Sequence, residues 1–171
     1  KSLVDNLEGF PTAIKFLQKN NSWATNAPFL SDLVSCSEDY RVAIENFLEP
    51  YMNYYVVDEV DNALRAIQLL KESSKGKANF LIISELSKNT FAETPIKDNC
   101  VRALDVVEYD QKYEAVVQFL LNNVYILNHQ NANIPLNTKG VFIAKDGSVT
   151  KKDYVVLGGS VGLFEGKRIG R

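Results

Sequence analysis

The chain has 171 residues, of which 46% are hydrophobic and 23% charged, and its formal net charge is −2 at pH 7. This length fits one medium domain or two small lobes that share a core, with the composition of an ordinary soluble globular protein. No window approaches the roughly 18 consecutive apolar residues of a membrane-spanning helix, and the first ten residues lack the apolar core of a signal peptide. We therefore expect a cytoplasmic protein, or a piece excised from one, with no membrane partner.

Three segments of the first half are predicted as amphipathic helices. Apolar residues recur in them at i, i+3, i+4 and i+7, in stretches that begin at Phe10, Tyr40 and Val60. Pro50 ends the second helix because proline has no N–H to donate and clashes with the preceding turn. For the third helix, Asp61 is predicted as the N-cap and Gly76 as the left-handed residue after the C-terminus.

Two short apolar runs, one before and one after the third helix, are predicted as strands. They are "YYVV" at 54–57 and "NFLII" at 79–83, both rich in β-branched or aromatic residues. Continuous runs of this kind suit strands that are covered on both faces. The order helix, strand, helix, strand indicates a mixed α/β fold with crossover connections.

The second half repeats part of this pattern. A helical stretch begins at Tyr113 with the same spacing as the Tyr40 stretch, and the strand-like run "VYILN" follows it. A hairpin is expected next, with "VFIA" and "YVVL" as strands and Asp146-Gly147 as the turn. Residues 84–99 form a long connection with room for one short element. We thus expect one domain of two related lobes, at about 1–85 and 100–171, joined by 84–99.

The residue types that carry chemistry are sparse. The single histidine, His129, follows a strand among Asn and Gln residues, which indicates a surface loop. Cys36 and Cys100 lie far apart and form no C-x-x-C pair, so we expect reduced, buried thiols and no zinc site. No catalytic residue, metal ligand or cofactor site is predicted.

A glycine-rich stretch near the end, "GGSVGLFEGKR" at 158–168, resembles a phosphate loop at first sight. The Walker A spacing requires glycine at position 161 and a hydroxyl residue at position 168, where this chain has Val161 and Arg168. The Rossmann spacing G-x-G-x-x-G also fails, because position 160 is a serine. The glycines then fit either a plain loop or a place where backbone approaches another chain. Their positions are Gly158, Gly159, Gly162 and Gly166.

Charge is distributed unevenly along the chain. From residue 139 onward, seven Lys and Arg stand against three Asp and Glu, a net charge of +4. A basic C-terminal part on an otherwise acidic chain fits either a nucleic-acid-binding surface or an ordinary solvated surface.

The order of these motifs resembles the hinge domain of SMC (structural maintenance of chromosomes) proteins, with a bacterial chromosome-partition form as the expected type. The matching stretches are "LSDLV" (30–34), the Tyr40 helix, "YYVV", residues 63–70 of the Val60 helix and "GKANFL" (76–81). The segment "LEGFPTAIKFL" is similar to the entry helix of hinges. The glycine stretch stands where hinges have a Gly-Gly exit segment.

This resemblance implies a non-catalytic domain that homodimerises and joins two coiled-coil arms, while the ATPase lies in distant head domains. The dimer interface would include the four glycines named above, often by edge pairing between lobe one and lobe two of different subunits. Several hinges also bind DNA weakly. From the charge of the tail, the predicted phosphate contacts are Lys151, Lys152, Lys167 and Arg168.

Two alternatives stay open at this point. One is a small α/β nucleotide hydrolase that uses the 158–168 loop. The other is an unrelated dimeric nucleic-acid-binding module. The hinge interpretation places the protein in the cytoplasm, in association with the nucleoid.

Overall fold

The computed structural model defines residues 9–128, 138–159 and 169 of the chain. Five α-helices lie in these ranges: α1 Thr12–Lys19, α2 Glu38–Leu48, α3 Val60–Ser73, α4 Ile83–Leu86 and α5 Glu114–Leu121. The strands are β1 Ser35–Cys36, β2 Tyr55–Val57, β3 Phe80–Ile82, β4 Cys100–Arg102, β5 Val107–Glu108, β6 Val124–Leu127, β7 Val141–Ile143, β8 Val149–Lys152 and β9 Val155–Gly158. None of the described helices is long and apolar enough to cross a membrane.

The helices predicted from apolar spacing are confirmed, but the ends of α3 differ from the prediction. The N-cap is Glu59, whose N–H donates to Asn62 Oδ1 at 3.1 Å, so Asp61 lies inside the first turn. At the other end, Ser74 takes the left-handed conformation (φ 51°, ψ 45°), two residues before Gly76. Asp61 is therefore not the N-cap. Gly76 does have a positive φ of 95°, but it is not the residue directly after α3, because the helix starts and ends slightly earlier than predicted.

β2 and β3 form a parallel pair, with α3 as the connection between them. This arrangement confirms the crossover that the alternating pattern predicted. All three residues of β2 are buried, as expected for a continuous apolar run that is covered on both faces. In β3 only Leu81 is fully buried.

A five-stranded sheet with the order β4-β6-β7-β8-β9 occupies the second half. The predicted hairpin was wrong in its partner strand. The Asp146-Gly147 turn joins β7 to β8, a strand made of "VTKK" that the sequence interpretation missed. β9 then pairs with β8 across the two-residue turn Asp153-Tyr154. β8 is mostly polar, so its sequence lacks the apolar run from which a strand would be predicted.

Contacts between the two halves are extensive. β1 pairs antiparallel with β5, which joins Ser35 to Glu108 and Cys36 to Val107. A shared apolar core contains buried residues from both halves, among them Leu30, Ile44, Leu48, Val117, Leu121 and Ile126. A second core lies within the first half and is centred on Trp23, Phe29 and Tyr55. The division into lobes at 84–99 stays a prediction.

The connecting segment 84–99 includes the short helix α4, which was the expected hidden element. Its later part is held against the second half by a buried threonine. Thr94 Oγ1 lies 2.6 Å from Asn122 Oδ1 and accepts from the Asn123 N–H at 3.1 Å. Arg102 donates to the Thr94 carbonyl oxygen at 2.8 Å. The segment therefore packs along the five-stranded sheet.

Candidate functional site

The edge strand β9 has an exposed apolar surface. Val155, Val156 and Leu157 expose 63%, 64% and 67% of their surface, and Tyr154 in the preceding turn is fully exposed. Single exposed apolar residues are common on proteins, but four in succession are not. β9 is therefore a candidate contact surface.

The outer side of β9 also has main-chain groups that face away from the sheet. Gly159 N–H donates to Ser148 O at 2.9 Å, and β9 pairs antiparallel with β8. In such a ladder, alternate residues bond to the neighbouring strand. Val155 and Leu157 therefore bond to β8, while the N–H and C=O of Val156 and Gly158 point outward. Among the described residues, no strand pairs with this outer side of β9. An apolar edge of this kind can accept a strand from another chain.

The two glycines at the end of β9 have different structural roles. A Cβ at Gly158 would lie 2.7 Å from the carbonyl oxygen of Ser148, on the neighbouring strand of the same chain. At Gly159 a Cβ would meet no atom within 4 Å, but its φ of +139° disfavours other residues. The close approach at Gly158 is thus already made within one subunit.

Within the part of the chain that the structure describes, β3 pairs only with β2 and so offers a second open edge, in the other half of the molecule. Tyr55 N–H donates to Asn79 O at 3.0 Å, and Tyr55 lies opposite Phe80. In a parallel pair, this bond directs the main chain of residues 79 and 81 toward β2. The N–H groups of Phe80 and Ile82 therefore point to the side away from β2.

A groove of about 540 Å³ lies between β9 and the C-terminal end of α2. Its walls are mostly apolar and comprise Phe47, Pro50, Tyr51, Tyr154, Val155 and Leu157. Polar residues complete the lining, namely Asn46, Thr150, Lys152 and Asp153. The groove and the open edge of β9 thus share residues of the same hairpin.

The predicted phosphate contacts Lys151 and Lys152 face opposite ways. Lys151 is only 5% exposed; its Nζ donates to the Thr138 carbonyl oxygen at 2.9 Å and lies 5.8 Å from the centre of the Phe142 ring. The two side chains lie on opposite faces because adjacent strand residues alternate between the faces of a sheet. Lys151 would have to leave these contacts to reach a phosphate, so its predicted role stays a prediction. Lys152 is exposed.

The remaining predicted site residues lie outside the described residues. These are Gly162, Gly166, Lys167 and Arg168. His129, the single histidine, lies outside them as well.

Within the ranges 9–128, 138–159 and 169, no group of three or more His, Cys, Asp or Glu residues could hold a metal ion. Both cysteines are free thiols, Cys36 buried and Cys100 half-buried. Burial raises the pKa of the Cys36 thiol to about 11, and it also raises the pKa of Cys100. Such thiols are poor nucleophiles at neutral pH.

Comparison with known proteins identifies the family. The family described as "SMC proteins Flexible Hinge Domain" matches residues 24–133. The chain belongs to the SMC hinge family. The Chromosome partition protein Smc of Chlorobaculum tepidum is 27% identical over 173 residues, 99% of this chain and 15% of that protein. The namesake protein of Methanococcus voltae is 30% identical over 76% of this chain and 11% of its own length. This hinge chain therefore spans only about a seventh or less of these relatives.

Solved hinge structures have the same fold. The Pyrococcus furiosus SMC hinge domain is 26% identical with a TM-score of 0.72, covering 90% of this chain and 84% of that chain. The Geobacillus stearothermophilus SMC hinge domain, solved as an asymmetric dimer, is 22% identical with a TM-score of 0.72. That match covers 93% of this chain and 71% of the other. The mixed α/β hinge fold that the motif order predicted is therefore confirmed.

Proposed function

We propose that this hinge domain homodimerises through β9 and so joins two SMC coiled-coil arms in chromosome condensation and segregation. The observation that carries the proposal is the exposed apolar edge of β9, with the outward N–H and C=O of Val156. Such an edge is an aggregation hazard in a monomer, and specific pairing with a second copy removes the hazard. The relatives named as chromosome partition proteins support the wider role.

The strand that pairs with β9 is β3 of the second copy. β3 and β9 are open edges in different halves of the chain. Two copies related by a two-fold axis can therefore make two β9–β3 contacts and close a small ring, without leaving either edge unpaired. This geometry agrees with the pairing between lobe one and lobe two that the resemblance implies.

The domain itself has no catalytic role in this proposal, and the ATPase belongs to head domains of the full-length protein. The sequence at 158–168 lacks the spacing of a nucleotide site. The thiols of Cys36 and Cys100 have raised pKa values, which suits packing better than nucleophilic chemistry. The hinge would act at the nucleoid in the cytoplasm.

Light scattering during gel filtration tests dimerisation. We expect the wild-type domain to be a dimer at micromolar concentration and Val156→Lys to be a folded monomer, since the new ammonium would stand on the paired edge. Ile96→Lys is the matched control, because Ile96 is an 80% exposed aliphatic residue beside β4 and β6, at the far side of the five-stranded sheet from β9. A wild-type monomer, or a Val156→Lys dimer as tight as the control, would contradict the proposal.

DNA binding is a second candidate function, supported by a surface that the sequence interpretation did not single out. α1 packs on α3, and a Cβ at Gly76 would lie 3.9 Å from the Ala13 Cβ, so the turn after α3 abuts α1. These elements have five exposed lysines: Lys15, Lys19, Lys71, Lys75 and Lys77. Such a cluster suits contacts to phosphates that are indifferent to sequence and weaken with salt.

A gel shift at rising salt compares this cluster with the predicted tail contacts. We expect the double variant Lys75→Glu, Lys77→Glu to weaken binding more than Lys152→Glu does. Equal affinity of the double variant and the wild type would remove the cluster from consideration. If Lys152→Glu alone abolishes binding, the tail is the contact, and no binding at low salt by any form would reject the DNA role.

A further inference from the structure

We propose that the groove between β9 and α2 is a second contact area of the same dimer and receives apolar side chains of the second copy. This inference rests on the proposed dimerisation through β9. The groove would add side-chain contacts to the main-chain hydrogen bonds that pair β9 with β3 of the second copy.

Interface size is the first argument. β9 has four residues and β3 has three. Even two symmetric β9–β3 contacts fall well short of the roughly 20–30 residues a side of a standard stable interface. The paired strands alone would therefore fix how the two subunits align, but they would not bury enough surface for a stable dimer. More apolar surface must lie beside them.

The position of the groove supplies that surface. Val155 and Leu157 line the groove, and Val156 between them directs its main chain outward to the pairing strand. A subunit that adds a strand to β9 consequently stands at the mouth of the groove. Val155 and Leu157 stay more than half exposed in the single chain, so edge pairing alone would leave them in water.

The lining has the anatomy of an interface. Phe47, Tyr51 and Tyr154 provide aromatic surface, a residue type that is enriched at the centres of protein contacts. Lys152 and Asp153 lie at the same groove with opposite charges. A lining that is mostly apolar, with few charges of opposite sign, fits an apolar side chain of the second copy better than it fits a charged ligand.

Filling the groove tests this inference. Thr150 lines it from β8, and tryptophan is well tolerated in strands, so Thr150→Trp places a large side chain in the groove. We expect the dimer dissociation constant, measured by sedimentation equilibrium, to rise at least tenfold. Thr150→Val keeps the shape of threonine and should stay within twofold of the wild type. Asn46→Arg repeats the test from the α2 wall, with circular dichroism as the check that each variant folds.

The outcomes separate the inference from the proposal on which it rests. If Thr150→Trp and Asn46→Arg dimerise as tightly as the wild type while Val156→Lys is monomeric, the groove inference is wrong and dimerisation through β9 stands. If Val156→Lys also dimerises normally, both fail. Thr150→Trp added to monomeric Val156→Lys should leave the melting temperature unchanged. A clear fall would mean that the chain fills the groove itself, which overturns the inference.

Discussion

Glu45 Oε2 accepts a hydrogen bond from the backbone N–H of Ile169 at 3.1 Å, across 124 positions of the sequence. Glu45 lies in the middle of α2 and is 5% exposed, while Ile169 is 2% exposed and belongs to the core shared by both halves. A buried N–H near the end of the chain is thus satisfied by a helix of the first half. This contact holds the C-terminal end against α2.

We expect Glu45→Ala to lower the free energy of unfolding by about 1–3 kcal/mol, because it leaves the Ile169 N–H buried without this acceptor. Glu45→Gln is the matched control, since its amide oxygen can accept the same bond, and it should keep most of the stability. Urea unfolding followed by circular dichroism gives the comparison. Equal losses for the two variants would show that the carboxylate charge matters, and no loss for either would show that the bond is dispensable.

Hydrogen exchange at the Ile169 amide measures locally how well the bond to Glu45 protects this N–H. In the wild type this N–H should be protected, and Glu45→Ala should speed its exchange more than that of core amides in β6. A uniform change across the protein would indicate general destabilisation instead.

The sequence was sufficient to predict the elements that bury apolar faces. The helices with regular spacing and the strands β2 and β6 were predicted because their apolar residues are contiguous or periodic. β8 was missed for the opposite reason: its residues "VTKK" are mostly polar, and only its neighbours β7 and β9 make it a strand. The wrong hairpin follows from this single omission, and so does the unforeseen burial of Lys151.

The contact glycines show a similar limit. The cluster at 158–159 correctly indicated a close backbone approach, but residue type does not tell which backbone is near. The structure places Ser148 of the same chain at Gly158. Whether Gly158 and Gly159 also contact a second copy stays a prediction, as does the role of the glycines outside the described residues.

Substitutions of Lys151 and Lys152 compare how a buried and an exposed lysine of the same strand affect stability. We expect Lys151→Met to destabilise the fold by about 1–3 kcal/mol, because the Thr138 carbonyl oxygen loses its donor. Lys152→Met should change stability by less than about 0.5 kcal/mol, as for most surface substitutions. Thermal unfolding of the two variants measures the difference. If both are neutral, the Lys151 contact does not stabilise the second half.

Substitutions at Gly158 and Gly159 can distinguish strain within the β8–β9 hairpin from a contact with the second subunit. We expect Gly158→Ala to lower stability by roughly 1–3 kcal/mol even in the monomeric Val156→Lys background, because the new Cβ would clash with the Ser148 carbonyl oxygen. Gly159→Ala should lower it through its positive φ alone. Melting temperatures in that background measure both effects. Gly158→Ala could instead leave the melting temperature of the Val156→Lys monomer unchanged and, introduced alone, abolish the dimer. That result would place Gly158 at the subunit contact.

The two thiols should differ in reactivity toward Ellman's reagent. Burial raises the pKa of Cys36 to about 11, so at pH 8 only on the order of 0.1% of it is thiolate, against about a quarter for a free cysteine. In a Cys100→Ser variant, Cys36 should therefore react far more slowly in the folded domain than in urea. Its rate should rise about tenfold per pH unit and level off only near pH 11, provided that the fold persists. A prompt reaction at pH 7 would mean that β1 opens readily, which would contradict a tightly packed contact between β1 and β5.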